Sequence, residues 1–476
     1  MAEREETLAK NTVMFAIGSF ASKLLQIVLV PFYTRVLTSG EYGTIDLLQA
    51  VVALLHPIIC LAIHESVFRY AMEQDRDKAA ILSIGLGVTL LGTAFMSVLG
   101  GISMYFIDPI YVWMVVANTA VNALWTVILQ YTKAVGRSGL YALNSVVATV
   151  FVLIFNIAFL VWLKMGIVGY MLGYIVANLL ATIFLIVFLG KDFKIRFQPI
   201  TKSLLKDMLR FSLPLLFNGI CWWLSTFTDR VMIVAILGKE ENGLYAAASK
   251  IPHILSVLVT IFYQAWQVSA NQEFGKQDSI RFFSKTYEQN AALTFMLGSG
   301  MILLCRPFSA VFFGAEYINA WSLVPTLVMS TVFFSFSQFL ISVYTANKKT
   351  GMAFITNILG TLVNIVLNAF LIPLMGLIGA AIATAISYFV LWIIRVVDTG
   401  RVVKMQYNIP RTIIATLVLL VQTIFITLNF DIIFTYIFCA IGTLLLVILY
   451  RDILFPILFS GISFIKNYLK KKGDSR

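Results

Sequence analysis

The sequence predicts an all-α polytopic membrane protein with 14 transmembrane helices. Of its 476 residues, 60% are hydrophobic and 12% are charged, and the mean hydropathy is +0.90. Soluble domains carry about 25% charged residues, so this composition excludes a soluble globular chain. Two further observations give the helix count. Apolar segments of spanning length recur along the whole chain, and basic residues concentrate in every second connection between them.

Each apolar segment is about as long as a helix must be to cross the ~30 Å hydrocarbon core of a bilayer. The segments lie at 11–37, 43–71, 79–106, 109–132, 140–163, 166–190, 207–238, 242–271, 286–313, 318–346, 352–374, 376–400, 411–430 and 432–450. The preceding decapeptide MAEREETLAK is charged and has neither an apolar region nor a cleavage site. We therefore expect no removable signal peptide, and the first apolar segment should stay in the membrane.

The basic residues orient these helices. The even-numbered connections and the tail contain Arg76, Lys78, Lys133, Arg137, Lys191, Lys194, Arg196, Lys202, Lys206, Arg210, Lys276, Arg281, Lys285, Lys348, Lys349, Arg401, Lys404, Arg411, Lys466, Lys470, Lys471 and Lys472. The odd-numbered connections contain only Arg35, Lys164, Lys239 and Arg306. Because cytoplasmic loops hold the excess of lysine and arginine, both termini are predicted to face the cytoplasm. This scatter also accounts for the net charge of +12 without a nucleic-acid partner.

Signatures of enzymes, metals and cofactors are missing from the sequence. It contains no paired carboxylates at a membrane surface, no metal-ligand cluster, no nucleophile elbow and no P-loop. The four cysteines, Cys60, Cys221, Cys305 and Cys439, lie singly in apolar segments and are interpreted as small buried residues. We therefore expect neither catalysis nor a cofactor.

An internal duplication divides the chain after the sixth helix, at the long polar connection 191–206. A glycine and an asparagine 17 residues apart follow a Tyr-Thr pair in each half, at Gly139 and Asn156 and again at Gly351 and Asn368. The segments GIVGYMLGYIVA and GLIGAAIATAIS come next, with small residues in every fourth position that permit close helix packing. These residues are Gly169, Gly173 and Ala177 in one half and Gly379, Ala383 and Ser387 in the other.

Because six is even, both halves enter the membrane in the same direction and form a parallel repeat around a central cavity. The predicted organisation is an N-terminal lobe at 1–190, a cytoplasmic linker at 191–206 and a C-terminal lobe at 207–404. Residues 405–476 would add helices 13 and 14 and a basic cytoplasmic tail.

Polar residues form stripes on helices one, two, seven and eight, which the duplication makes equivalent. Lys23 is the most informative of them, because a lysine near mid-depth is disfavoured by about 3 kcal/mol and should face protein or a wet cavity. On helix one the stripe comprises Thr12, Ser19, Lys23, Gln26 and Thr34, and on helix two Asp46, Gln49, His56, Cys60 and His64. Helix seven carries Asn218, Trp222, Trp223, Ser225, Thr226, Asp229 and Arg230, and helix eight carries Lys250, His253, Thr260, Gln264, Gln267 and Asn271.

Structural interpretations stay open for several of these groups. Asp229, Arg230 and Arg35 lie near outer helix ends, where charges are also common without a role in transport. Glu65 and Arg69 have the i,i+4 spacing of an ion pair and would then neutralise each other. His56 and His64 are interpreted as hydrogen-bonded bundle residues rather than proton carriers. Five asparagines are interpreted as contacts between helices, namely Asn118, Asn122, Asn156, Asn364 and Asn368.

Several segments in order resemble a known family. They are the region from Asn11 that contains Lys23 and PFYTRVLTSGEYG, the segment AIHESVFRY, the segment TDRVMIVAILGKEENGLYAAASK and the asparagine-bearing helices five and eleven. Over about 400 residues, the chain resembles the polysaccharide-transport flippases of the multidrug/oligosaccharidyl-lipid/polysaccharide exporter superfamily.

The resemblance implies a flippase of the bacterial cytoplasmic membrane that moves an undecaprenyl-diphosphate-linked oligosaccharide to the outer leaflet by alternating access, for O-antigen or another surface polysaccharide. Substrate contacts are expected at Lys23, Arg35, Arg69, Arg230, Lys250, Trp222 and Gln26, and ion coupling or ion pairing at Asp46, Glu65 and Asp229. The expected partners are the lipid-linked oligosaccharide, membrane lipid, H⁺ or Na⁺ as the coupling ion and polysaccharide-assembly proteins. The protein is expected to be a monomer.

Three alternatives stay open from the sequence. Two are transporters of the same superfamily, a lipid II flippase or an ion-coupled multidrug exporter. The third is a membrane polysaccharide polymerase or ligase, which should carry acid/base groups on a sizeable outer loop. The odd-numbered connections here are short, so this third alternative is disfavoured.

Overall fold

A computed structural model describes residues 29–73, 75–196, 202–347, 350–428 and 430–456. These residues form helices and connections, with no strand among them. The long helices and their shorter neighbours are α1 (Val30–Val36), α2 (Ser39–Ile59), α3 (Ile63–Ala71), α4 (Lys78–Ser103), α5 (Pro109–Ala134), α6 (Ser138–Ile157), α7 (Gly166–Leu189), α8 (Lys202–Ile236), α9 (Lys239–Glu273), α10 (Ser279–Leu303), α11 (Cys305–Phe312), α12 (Val324–Ala346), α13 (Thr350–Met375), α14 (Leu377–Thr399), α15 (Ile409–Thr427) and α16 (Ile432–Leu449). The predicted all-α fold class is confirmed.

Most of these helices have the length and composition of membrane spans. Eleven are long and apolar enough to cross a bilayer, or 12 when α10 and α11, which meet at a bend of 63°, are counted as one span. The 35-residue α8 is not in this set, because polar and charged residues interrupt its apolar sequence. The first predicted span falls mostly on residues outside the described ranges. The multi-pass architecture is therefore confirmed, while the count of 14 stays a prediction.

The chain divides into two compact units. The first extends to Val234 and also includes Gly238–Gly243, whereas the second comprises Ala235–Leu237 and the chain from Leu244 onward. The first unit thus contains nearly all of α8, which the duplication assigns to the C-terminal lobe. The predicted lobe boundaries at 190 and 207 follow from the sequence repeat and stay predictions. A helix can belong to one repeat by sequence and still pack with the other unit.

Helix ends in the first unit are fixed by side-chain caps. At the start of α2, the Oγ1 of Thr38 accepts a hydrogen bond from Glu41 N at 3.3 Å, and the Glu41 carboxylate accepts one from Thr38 N at 2.9 Å. At the start of α4, the Asp77 carboxylate accepts from Ala79 N at 3.0 Å and from Ala80 N at 3.1 Å. The bond from Ala80, with those from Arg196 and Ala79, lowers the pKa of Asp77.

The two hairpins of the predicted duplication, α6–α7 and α13–α14, bury the small residues identified in the sequence. The buried set comprises Gly169, Gly173, Ala177, Gly379, Ala383 and Ser387. A Cβ atom built on Gly379 would lie 2.1 Å from the carbonyl oxygen of Leu371, and one built on Gly173 would lie 2.6 Å from Oδ1 of Asn156. These distances are too short for a side chain, so glycine lets each hairpin pack closely.

Five asparagines were predicted to form contacts between helices. Asn156 forms one, whereas the hydrogen bond between Asn368 and Asn364 stays within a single helix. Asn156 Nδ2 of α6 donates to the Tyr33 hydroxyl of α1 at 3.0 Å. Within α13, Asn368 Nδ2 donates to Asn364 Oδ1 at 3.1 Å. Asn156 and Asn368 are fully buried, so these amides act as packing contacts inside their own units.

Candidate functional site

The candidate site lies in the first unit, where α8 packs along α2. Three contacts define this α2–α8 seam, namely a Cβ on Gly219 lying 3.6 Å from Pro57 Cβ, Trp223 Nε1 donating to Ala50 O at 2.6 Å, and Arg230 facing Asp46. Their order shows that the two helices run antiparallel. The next helix, α3, contacts α8 through Ser66 Oγ, which donates to Met208 O at 2.6 Å.

The Asp46–Arg230 ion pair is the strongest electrostatic feature of the seam. Arg230 Nε lies 2.7 Å from Asp46 Oδ2, and the two side chains are only 14% and 13% exposed. The guanidinium also lies 5.2 Å from the ring centre of Phe227 on its own helix. Asp46 lies seven positions after the first residue of α2, and Arg230 lies six positions before the last residue of α8, about 10 Å along the axis. The pair therefore lies inside both helices rather than in their end turns.

This placement bears on the choice between an interfacial charge and a site residue. Isolated charges inside a membrane span cost about 2.5–3.5 kcal/mol on insertion scales, and they occur mainly where they pair or line a polar path. Arginine also offers a planar set of donors that matches the two oxygens of a phosphate. In the described structure, Asp46 is the anion that faces the guanidinium of Arg230.

A close crossing lies at the N-terminal end of α2. A Cβ on Gly43 would be 1.8 Å from the carbonyl oxygen of Lys239, and one on Gly243 would be 1.9 Å from the carbonyl oxygen of Ser39. Asn242 Nδ2 donates to Gly43 O at 2.9 Å. The first turns of α2 and α9 therefore touch backbone to backbone, one turn from Asp46.

The structure places the other predicted site residues separately. Lys23 and Gln26 lie outside the described residues, and so does the side chain of Trp222. Asp229 is buried beside Arg230. Lys250 belongs to α9 in the second unit and is partly buried. The shared cavity that the sequence predicts for these residues stays a prediction.

Arg35, Arg69 and Glu65 are further from the seam's charge pair. Arg35 is exposed, and its Nη1 donates to Pro31 O of α1 at 3.2 Å. Arg69 does not pair with Glu65 as its spacing suggested. Its Nη1 lies 3.1 Å from Glu73 Oε1, four residues further along, while Glu65 Oε1 lies 3.5 Å from His64 Nε2. The i,i+4 spacing fits both carboxylates equally, and Glu73 is the one at the helix end.

One buried cation lies outside the polar stripes that the sequence predicts on helices one, two, seven and eight. Arg395 of α14 is 1% exposed. It donates to Thr356 Oγ1 at 3.1 Å, to Ser337 O at 3.0 Å and Oγ at 2.6 Å, and to Asn357 Oδ1 at 2.8 Å. These four acceptors are neutral oxygens of α12 and α13. The arginine thus ties three helices of the second unit together.

A polar cavity of about 950 Å³ lies in the second unit, between the start of α10, the loop before α15 and the segment after α16. Its lining has two cationic side chains, Lys285 and Arg411, and two carboxylates, Glu288 and Asp452. Arg411 contacts both oxygens of Asp452 at 3.1–3.2 Å. Burial raises the pKa of Tyr407 in this loop to about 12. The cavity therefore presents no net positive charge to an anionic headgroup.

The family described as "Polysaccharide biosynthesis protein" matches residues 8–267, more than half of the chain. Uncharacterized membrane protein MJ1375 of Methanocaldococcus jannaschii is 22% identical over 260 residues, which cover 52% of this chain and 62% of that protein. The probable low-salt glycan biosynthesis flippase Agl15 of Haloferax volcanii is 23% identical over 190 residues, 39% of this chain and 40% of that protein. The matches thus span less than two thirds of either relative.

Solved structures show the same fold. The lipid II flippase MurJ, in an inward closed conformation, superposes with a TM-score of 0.68 at 16% identity, covering 93% of this chain and 100% of MurJ. An inward-facing multidrug resistance MATE family transporter of the MOP superfamily superposes with a TM-score of 0.64 at 13% identity, covering 82% of this chain and 97% of that one. The chain therefore has the fold of these transporters and belongs to the polysaccharide biosynthesis protein family.

Proposed function

We propose that the protein is a flippase, and not an enzyme, that moves an undecaprenyl-diphosphate-linked oligosaccharide from the cytoplasmic to the outer leaflet by alternating access. The family match, the transporter fold and the name of the Haloferax relative support a glycan flippase. The observation that carries the choice of substrate is the intramembrane Asp46–Arg230 pair, because a diphosphate is the anion that a lipid-linked sugar brings into the membrane.

Arg230 would act by exchanging its counterion. In the described state the carboxylate of Asp46 neutralises it at 2.7 Å. An entering diphosphate would offer two or more oxygens to the same planar guanidinium, so the arginine would stay paired throughout while Asp46 is released. Release of the headgroup on the other side would restore the ion pair. Asp46 thus prevents an uncompensated buried cation between transport cycles.

The remaining predicted contacts extend this proposal. Lys23, Arg35, Arg69 and Lys250 would add positive charge along the path of the headgroup, while Trp222 and Gln26 would contact sugar. Glu65, Asp229 and the released Asp46 are proposed for ion coupling or ion pairing. A monomer in a bacterial cytoplasmic membrane, with H⁺ or Na⁺ as the coupling ion and assembly proteins as partners, completes the proposal.

The test is a flipping assay in proteoliposomes with three substrates. A defined undecaprenyl-diphosphate oligosaccharide, lipid II and a cationic drug would be offered in turn, and the appearance of each on the opposite side of the membrane would be measured. We expect flipping of the oligosaccharide lipid only. Transport of lipid II alone or of the drug alone would support the corresponding alternative, and elongation of the glycan without translocation would show an enzyme.

A further inference from the structure

A polar cavity and an apolar groove adjoin in the second unit. The cavity of about 950 Å³ is the one between the start of α10, the loop before α15 and the segment after α16. The groove has a volume of about 380 Å³ and lies between α14 and α15. Tyr407 lines both spaces. A polar space beside an apolar one matches the two parts of an amphiphile, since each part then avoids a lining of the opposite character.

Two of the four charges that line the cavity neutralise each other, and two are left over. Arg411 contacts both oxygens of Asp452 at 3.1–3.2 Å. Lys285 and Glu288 lie three positions apart on α10, and they form no ion pair with each other among the described residues. The cavity therefore offers a ligand one cation and one carboxylate, with no net charge. The ligand of complementary charge is a zwitterion.

The carboxylate of Glu288 has one oxygen in use and one without a partner. Its Oε1 accepts a hydrogen bond from Asn408 N at 3.0 Å, which holds the loop before α15 against α10. Its Oε2 is buried and has no hydrogen-bond partner among the described residues. Buried polar atoms are normally paired, and the last side-chain torsion of glutamate is soft enough to turn this oxygen toward the cavity. An ammonium that carries N–H groups is a strong donor to such an anionic acceptor.

Aromatic side chains mark the boundary between the cavity and the groove. Tyr287 and Trp392 line the groove beside Tyr407. Trp392 Nε1 donates to the Tyr287 hydroxyl at 3.0 Å, and the ring centres of Tyr287 and Tyr407 are 5.0 Å apart. Tyrosine and tryptophan collect at the level of lipid headgroups, because one end of each side chain is apolar and the other is polar. The boundary thus has the composition of a membrane interface.

The groove has the depth of one leaflet. It follows α15 from Ile409 to Leu417, and α14 from Val396 back to Phe389. Eight residues of helix rise about 12 Å, which is close to half of the ~30 Å hydrocarbon core. The connection 400–408 is one of the basic connections that the sequence predicts to face the cytoplasm. An acyl chain that starts at the cavity therefore belongs to a lipid of the cytoplasmic leaflet.

We propose that the cavity and the groove bind one phospholipid of the phosphatidylethanolamine class, with its ammonium at Glu288, its phosphate at Lys285 and an acyl chain between α14 and α15. An anionic phospholipid lacks the ammonium that Glu288 requires. Phosphatidylcholine has a quaternary nitrogen, which cannot donate a hydrogen bond to the free carboxylate oxygen. The bound lipid contacts α10, α14 and α15 at once, so it stabilises the second unit.

Thermal unfolding tests this site without any transport substrate, so its outcome is independent of the proposed flippase function. The purified protein in detergent is melted with dioleoyl phosphatidylethanolamine, its N-methyl and N,N-dimethyl forms, phosphatidylcholine or phosphatidylglycerol. Unfolding of the second unit is followed at the buried thiols of Cys305 and Cys439. We expect phosphatidylethanolamine to raise the melting temperature about 3 °C more than phosphatidylcholine does, with the methylated forms in between. Equal stabilisation by all of these lipids, or the greatest by phosphatidylglycerol, would overturn the proposal.

Two variants locate the effect. Glu288→Gln keeps an oxygen that accepts from Asn408 N but removes the negative charge, so it should abolish the preference for phosphatidylethanolamine over phosphatidylcholine. The matched control Glu273→Gln removes a carboxylate at the end of α9, where Glu273 Oε1 lies 2.8 Å from Lys276 Nζ, and it should retain the full preference. A preference that survives in Glu288→Gln, or that is lost equally in the control, would contradict the placement of the ammonium.

The role of the groove is tested on the wild-type protein, so this measurement does not depend on the folding of a variant. Glycerophosphoethanolamine has the same headgroup as the lipid and no acyl chains. It should leave the melting temperature unchanged at concentrations where phosphatidylethanolamine acts, because burial of the chain in the groove contributes to binding. An equal shift with the chain-free compound would show that the groove takes no part and would overturn the assignment to a lipid.

Discussion

Replacing Arg395 tests whether a buried charge with neutral partners organises the second unit. Arg395→Met keeps most of the side-chain volume and removes four hydrogen bonds. The hydroxyls of Ser337 and Thr356 can turn to other partners, and Thr356 already donates to Ala353 O at 3.0 Å. The carbonyl oxygen of Ser337 lies inside α12 and keeps the backbone N–H four residues further along as its partner. The amide oxygen of Asn357 is the acceptor that loses its donor.

An unsatisfied buried acceptor costs about 1–3 kcal/mol, and the other lost hydrogen bonds of the guanidinium add to this cost. Removing the desolvated guanidinium returns part of this energy. We therefore expect a net loss of about 1–2 kcal/mol, or roughly 3–6 °C in the melting temperature of a unit of about 230 residues. The double variant Arg395→Met/Asn357→Leu should recover part of that loss, because it removes one orphaned acceptor.

The assay is thermal unfolding in detergent, followed by a thiol-reactive dye. Cys305 and Cys439 are buried in the second unit, so they become reactive when that unit unfolds. The matched control is Arg401→Met, since Arg401 follows the same helix but is 77% exposed and 3.9 Å from its partner Asp398. The control should melt within about 1 °C of the wild type. An equally small shift in Arg395→Met would refute the reasoning.

Three further changes probe the first unit. Gly43→Ala places a Cβ 1.8 Å from Lys239 O, so overpacking should cost about 1–3 kcal/mol of stability. The measurement is the melting temperature, which should be lower than that of the control Gly87→Ala, where the added Cβ has open space. Asp77→Ala should cost about 1 kcal/mol through loss of the helix cap. Because the pKa of Asp77 is lowered by folding, this contribution should be present near neutral pH and disappear as the pH falls through the folded-state pKa, so the two proteins should converge in acid. Asn156→Leu should destabilise by about 1 kcal/mol, since it removes the amide donor from the Tyr33 hydroxyl, which keeps Tyr174 as a second partner. A companion Tyr33→Phe change should recover part of the loss in the same melting assay.

Much of the fold could be predicted from the sequence, because long apolar helices leave a local signal. Helix starts such as those of α2, α4 and α5 follow capping residues and proline. The break after Ile59 could not be predicted, since Pro57 indicates only a kink and the left-handed backbone of residues 61–62 depends on Gly92 of another helix. Arg395 was missed for a similar reason. Its partners Ser337, Thr356 and Asn357 are ordinary residues until three helices bring them together.

The site followed the same pattern. Asp46 and Arg230 were each identified by a charge in an apolar helix, but their pairing depends on the packing of α8 against α2. The i,i+4 spacing of Glu65 and Arg69 did not predict the partner of Arg69, because Glu73 lies at the same spacing from Arg69. Local spacing therefore predicts which groups are unusual, whereas tertiary packing decides which of them meet.

Flipping of a defined lipid-linked oligosaccharide by charge variants of the Asp46–Arg230 pair tests the central claim most directly. The set comprises Arg230→Gln, Asp46→Asn and the exchange Asp46→Arg/Arg230→Asp, each reconstituted at equal density and verified as folded by its melting curve. If Arg230 carries the diphosphate, Arg230→Gln loses at least tenfold in rate, Asp46→Asn retains substrate binding, and the exchange restores stability without restoring the rate. Full recovery of flipping in the exchange variant, or a normal rate in Arg230→Gln, would show that the pair is structural and would contradict the account.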